Sequence, residues 1–184
     1  MENNEISKIS FAIISCMEHM ALTKSKEFNS ITYGKLTYSE VVFTVVNFLS
    51  SENEKGYKVI IGTDSNAHTN GKDYTEYITA ILVHKIGCGG IYFWKKIVDK
   101  KAHSLKERIY KEALLSLEFA HKIMEDFNRL NALSWPLEIH IDVGSVGETR
   151  EIINEVTGMV RGDGFEVKTK PLSFGASKVA DRHT

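Results

Sequence analysis

Three acidic residues stand where packing alone would not put them. Asp64 closes the apolar run of "YKVIIGTDS", Asp142 closes "LEIHID" ahead of a glycine turn, and Glu112 takes a leucine's place in a helical stripe. Two neighbouring carboxylates repel, and both stay ionised only at a cost unless a cation lies between them. Hard divalent ions take oxygen ligands, so the two aspartates read together as a metal site. Either one alone reads more simply as the cap of a turn or helix. The stretch "EIHIDVGSVGETREIINEV", Glu138 to Val156, thus admits three readings. It is one wall of a metal-dependent nuclease, a nucleotide phosphate loop, or an ordinary β–turn–α joint.

The elements that must position these acids follow from periodicity. Ile6 to Met20 reads as a helix, and the polar piece Thr23–Ser30 after it reads as a mobile spacer. "LTYSEVVFTVVNFL" opens on a capping-box pattern, Thr37 then Glu40, with Val42, Val46 and Leu49 at helical spacing. "YKVIIGTDS" predicts a buried strand stopped by Gly62 and ending at Asp64. "YTEYITAILVHKIG" and "GIYFWKKIVDK" predict a hairpin turning at Gly87–Gly90, and "NAHTNGKD" predicts the loop before it. A long helix from about Ser104 to Arg129 precedes the strand "LEIHID". The helix "ETREIINEVTGMV", the strand "FEVKTKP" and a short helix "GASKVADRHT" complete the chain. Three antiparallel strands followed by alternating helices and strands imply an α/β class with one parallel half. With the first strand central and the fourth parallel beside it, Asp64 and Asp142 emerge at one carboxyl edge, where open α/β sheets bind ligands.

In the long helix Leu105, Ile109, Glu112, Ser116, Ala120, Ile123 and Phe127 share one face. A buried, unpartnered glutamate there costs several kcal/mol, roughly. Metal ligation would supply the partner; a glutamate at the stripe's margin reaching water is the plain alternative. Glu107 lies five residues earlier, about 140° away round the helix, and reads as solvated. His140, two residues before Asp142, reads as a buried, hydrogen-bonded histidine. His68, in the loop after Asp64, reads most simply as a plain loop histidine and otherwise as a substrate contact. Lys95, Lys96, Lys100, Lys101, Lys106 and Arg108 crowd "KKIVDKKAHSLKER", most simply a solvated basic face and otherwise a place for a phosphate backbone.

The 184 residues, 42% of them hydrophobic, suffice for one domain with a sizeable core. A net charge of −1 gives no global pull on nucleic acid, although a carboxylate site filled with cations would hide its working charge from such a count. Cys16 and Cys88 make neither a disulfide framework nor a zinc site. The acidic start MENNE lacks a secretory signal's basic opening, and no run has the length of a membrane span. A cytoplasmic protein with no membrane partner is the expectation; oligomeric state is not read.

"IGTDS", "RIYKEALLSLEFA", "IHIDVGSVGETREIINEVTGMV", "KPLSFGAS" and "VAD" closely resemble the YkuK-type ribonuclease H-like family of bacteria, over about Gly34 to the end. The resemblance implies a ribonuclease H-like fold: a five-stranded mixed sheet of order 3-2-1-4-5 flanked by helices. It implies a domain over 34–184 and an N-terminal helical extension over 1–33. By motif it carries the metal-binding and catalytic acids onto Asp64, Glu112, Asp142 and Asp181, with His183 able to replace or assist Asp181. They would hold two Mg²⁺ or Mn²⁺ and hydrolyse phosphodiester bonds of RNA, DNA or a hybrid. Two departures stand out: Glu112 lies farther from Asp64 than in short ribonucleases, and the chain stops soon after Asp181. Candidate substrate contacts are Ser65, Lys100, Lys101, Lys170, Gly144 and Thr149.

Two rival functions stay open. Gly144, Gly147 and Thr149 would cradle phosphate at a helix N-terminus if the turn were a nucleotide loop like that of the actin–hexokinase superfamily. That superfamily closes two such domains round its nucleotide, and this chain has room for one. A non-catalytic nucleic-acid-binding or assembly module is the other rival.

Overall fold

The structure, a computed structural model, describes residues 25–50, 56–69, 71, 73–87, 89–130, 136–143, 149–173 and 179. In chain order its elements are β1 (Phe28–Ser30), β2 (Gly34–Leu36), α1 (Tyr38–Ser50), β3 (Tyr57–His68), β4 (Tyr74–Lys85), β5 (Gly89–Asp99), α2 (Leu105–Arg129), β6 (Leu137–Ile141), α3 (Thr149–Gly162) and β7 (Glu166–Thr169). The expected helix at Ile6–Met20 and most of the expected last helix lie outside the described residues.

The long hairpin strands form because β-branched and aromatic residues alternate with polar ones between glycine turns. Gly87 and Gly89 take φ of 74° and 89° at the β4–β5 turn, a conformation that side chains resist. The sheet has seven strands in the order β2-β1-β5-β4-β3-β6-β7. Its last five, β5-β4-β3-β6-β7, reproduce the expected order; β1 and β2 correct the expected count. Phe28 is buried, and Asn29 pairs with Trp94, so the piece read as a mobile spacer in fact adds a strand to the sheet edge. The expected domain boundary before Gly34 falls within this small hairpin.

β3 pairs antiparallel with β4 and parallel with β6, and β6 is parallel to β7. The odd-numbered face of β3 and β4 meets the helices: Val59, Ile61, Ile81 and Val83 join Ile109, Ala113, Leu117, Ala120, Ile123 and Val156 in one core. Each large apolar side chain so buried stabilises by about 1.5–3 kcal/mol. On the opposite face Ile60, Ile78 and Ala80 are buried as well. α1 begins with the expected capping box, Glu40 N–H donating to Thr37 Oγ1 at 3.2 Å and Thr37 N–H to Glu40 Oε2 at 2.7 Å. Tyr38 ties α1 to α2, its hydroxyl donating to buried Asp126 Oδ2 at 2.7 Å. Among the described residues no helix is long and apolar enough to cross a membrane.

Candidate active site

The phase of α2 is set at its first turn. Ser104 is the N-cap: Glu107 N–H donates to Ser104 Oγ at 3.3 Å, and Ser104 N–H donates to Glu107 Oε2 at 2.8 Å. The Ser104 N–H foremost, then the Ser104 hydroxyl and Lys101, all donating to the Glu107 carboxylate, hold it down to about 2. Glu107 is therefore occupied in the cap, on the helix's outer side. Five residues on, the helix turns Glu112 towards the sheet, where only 7% of it is exposed. Leu105, expected in the same stripe, is instead exposed at the helix start.

Glu112 meets Ser65, whose hydroxyl donates to Oε1 at 2.5 Å. One turn earlier on α2, Arg108 Nη1 donates to the Ser65 carbonyl oxygen at 3.0 Å. Burial pushes the Glu112 carboxyl up from its ordinary 4.5 to about 8. The Ser65 hydrogen bond and the Arg108 charge pull it back, while the charges of Asp64 and Asp142 push it further up. Glu112 thus feels the charges of both aspartates. Below Glu112, Ser116 Oγ reaches the Glu112 carbonyl oxygen at 2.8 Å and Thr63 Oγ1 at 3.0 Å, so Ser116 links helix to strand. Two buried atoms nearby, Tyr77 Oη and Arg108 Nε, have no hydrogen-bond partner among the described residues. Burial and then the Glu112 charge push the Tyr77 hydroxyl up to about 12.

Asp64 is not at a strand end, contrary to the expectation. β4 goes on pairing with β3 through His68, so that histidine is a strand residue too. What ends here is β6: its parallel register with β3 closes at Gly62↔His140, and the strand itself ends at Ile141, one residue before Asp142. Strand alternation turns Ser65 towards α2 and Asp64 to the other side, so Asp64 and Glu112 interact past the strand rather than across one face. Asp64 Oδ1 accepts from the Ser65 backbone N–H at 2.9 Å. Lys170 Nζ lies 3.0 Å from Asp142 Oδ1, an ion pair without the alignment of a hydrogen bond. Among the described residues no group of three His, Cys, Asp or Glu side chains is drawn together closely enough to hold a metal ion. In chemistry alone the three acids are the oxygen donors a hard cation takes, and Asp64 and Asp142 both oppose the ionisation of Glu112.

The remaining expected site residues are dispersed. Asp181, His183 and Gly144 lie outside the described residues, and Thr149 opens α3. Lys100 and Lys101 are exposed, Lys101 Nζ at 3.2 Å from Glu107 Oε1. The basic run is not one patch, because alternation sends Lys95 and Lys96 to opposite faces. Lys95 lies over the Phe28 and Phe119 rings, and Lys96 pairs with Glu76 at 3.1 Å. His140 is buried and bonded to Glu138 at 3.3 Å. Sequence reasoning assigned Arg108 to the basic run and missed its hold on Ser65. Its place four residues before Glu112, on a neighbouring turn, was the available signal.

A family model described as ribonuclease H-like matches residues 40–184. The uncharacterised protein YkuK of Bacillus subtilis (strain 168) is 32% identical over 168 residues, covering 85% of this chain and 96% of that protein. Among solved structures, the crystal structure of prototype foamy virus protease–reverse transcriptase aligns with a TM-score of 0.35 and 10% identity. That alignment covers 71% of this chain and 20% of the viral one.

Proposed function

The chain belongs to the ribonuclease H-like family, and from that premise we propose that it is a metal-dependent nuclease hydrolysing phosphodiester bonds in nucleic acid. The observation that carries the reading is Glu112, a carboxyl buried against the sheet and bonded to Ser65, pushed up by its burial and further by the charges of Asp64 and Asp142. In this reading Asp64, Glu112 and Asp142 hold Mg²⁺ or Mn²⁺, two ions being expected, with Asp181 or His183 as the fourth ligand. When bound, these ions supply Lewis-acid polarisation of a phosphate and a more acidic water. Arg108 holds Ser65, and Ser65 holds Glu112, so the carboxyl is positioned before a cation arrives. Lys170, its side chain 56% exposed, sets a positive charge beside Asp142 in the meantime and turns to a substrate phosphate once a cation takes its place. The same reading places the protein in the cytoplasm, where its two cysteines stay reduced.

The Lys170–Asp142 pair also favours a second reading, a nucleic-acid-binding module in which a lysine stands where a cation would. Metal titration separates the two. A cation that binds the native state raises its melting temperature by mass action. Mn²⁺ raises that of the nuclease, and Asp142→Asn shrinks the rise while leaving metal-free stability within about 1 kcal/mol of wild type. Equal Mn²⁺ responses in the two proteins would favour the binding module.

A further inference from the structure

Past Asp64 the face of the hairpin turned away from α2 carries an ordered set of side chains that a metal site does not require. Alternation puts Asp64, Asn66 and His68 on this face. The register sets them opposite Ile78, Glu76 and Tyr74, and sets Ile78 and Glu76 opposite Lys96 and Val98 of β5. At the far end the His68 and Tyr74 rings stack, centroids 4.4 Å apart and planes 14° from parallel. Both are half-buried, whereas Asn66 and Lys96 are exposed and Val98 is 54% exposed. Glu76 Oε2 lies between the neighbours, 3.1 Å from Lys96 Nζ and 3.6 Å from His68 Nε2.

The spacing relates this face to the candidate site. His68 lies four residues beyond Asp64 along one strand, about 13 Å, within the few nucleotides that a single-strand-binding surface spans. A half-buried ring pair with an outer face open takes a nucleobase face irrespective of sequence, because every base has one. Lys96, level with Asp64 and two strands across, carries a charge suited to a backbone phosphate. A duplex keeps its bases paired inside and cannot use the rings.

We propose that the His68–Tyr74 pair and Lys96 form a platform for an unpaired stretch of nucleic acid, one base stacking on the rings and a phosphate on Lys96. The next phosphodiester is thereby delivered towards Asp64. The substrate class is single-stranded nucleic acid or a duplex with an unpaired arm, and the platform's purpose rests on the nuclease reading. A cross-strand ring pair also stiffens a hairpin, so the test must separate stacking from stability.

The test is fluorescence anisotropy on the full chain in EDTA, where no cleavage occurs, with labelled single-stranded RNA, single-stranded DNA and a blunt duplex. Tyr74→Leu keeps apolar bulk and removes the ring; Tyr74→Phe keeps the ring. Tyr74→Leu is expected to weaken single-strand binding by about 5- to 150-fold, Tyr74→Phe by less than about 2-fold, with duplex binding unchanged in both. Melting temperatures verify folding, and His68→Leu replaces Tyr74→Leu should the latter fail to fold. Wild-type affinity for single strands from Tyr74→Leu, equal losses on duplex and single strand, or no single-strand binding by wild type would each overturn the platform. Ring-dependent binding without Mn²⁺-dependent cleavage leaves the platform standing and removes the nuclease; cleavage without ring dependence does the reverse.

Discussion

Replacing Glu112 by glutamine should make the metal-free protein more stable, and increasingly so as pH rises. In the unfolded chain the Glu112 carboxyl ionises near its ordinary 4.5, whereas burial among the other acids holds it protonated to about 8 in the native state. Below pH 4.5 both states carry the proton and the residue contributes no pH dependence. Between 4.5 and 8 the unfolded chain releases a proton that the native chain keeps, so stability falls as pH rises. Above 8 the native carboxyl ionises as well, and the penalty levels off at about 5 kcal/mol, from 1.36 kcal/mol per pH unit. Glutamine accepts the Ser65 hydrogen bond and never ionises. The variant's advantage over wild type should therefore be small at pH 4.5 and approach about 5 kcal/mol at pH 8.5, roughly 10–20 °C in melting temperature. Other titrating groups are common to both proteins and cancel in the difference. Urea unfolding of both proteins in EDTA at pH steps between 4.5 and 8.5 measures it. Saturating Mn²⁺ should then close the gap by stabilising wild type alone. An advantage that is flat with pH, or a glutamine variant less stable at pH 8.5, would refute the placement of Glu112 in a buried acid cluster.

Three further substitutions probe the surroundings. Lys170→Gln removes the cation paired with Asp142, so Mn²⁺ should bind several-fold more tightly by calorimetric titration; unchanged or weaker binding would show that the pair does not compete with metal. Arg108→Met deletes a positive charge beside Glu112 yet should weaken Mn²⁺ binding, because Ser65 loses its anchor; tighter binding would mean that Arg108 acts only through its charge. Glu107→Gln should cost about 0.5–2 kcal/mol of stability through the weakened N-cap, measured by urea unfolding, and cleave normally. Loss of cleavage there would exchange the roles of the two glutamates.

What the sequence makes legible depends on whether the signal is local. The burial of Glu112 is readable because an acid among apolar residues at helical spacing is conspicuous, and the Ser104–Glu107 box fixes the helix phase within four residues. The central strand order is readable from alternating helices and strands once β3 is placed at the centre. The extent of β3 is not. A glycine and an aspartate read as a stop, but β4 pairs on past them, and that pairing leaves no mark in β3's own residues. β1 and β2 escape because three residues each, "FNS" and "GKL", are too few to show a period of two. The Arg108–Ser65 bond spans 43 positions, and the Lys170–Asp142 pair depends on the parallel register of β6 and β7. Such contacts follow from tertiary assembly. Spacing along the chain does not announce them.

The measurement closest to the central claim is cleavage itself. Wild type and Glu112→Gln are incubated with end-labelled single-stranded RNA, single-stranded DNA, an RNA–DNA hybrid and duplexes, each with Mn²⁺, with Mg²⁺ and with EDTA. The account predicts that wild type cleaves at least one of these forms with Mn²⁺ or Mg²⁺, leaving 3′-hydroxyl ends, and that EDTA or the folded Glu112→Gln variant abolishes the products. Intact substrates throughout, or equal cleavage by wild type and variant, would contradict it.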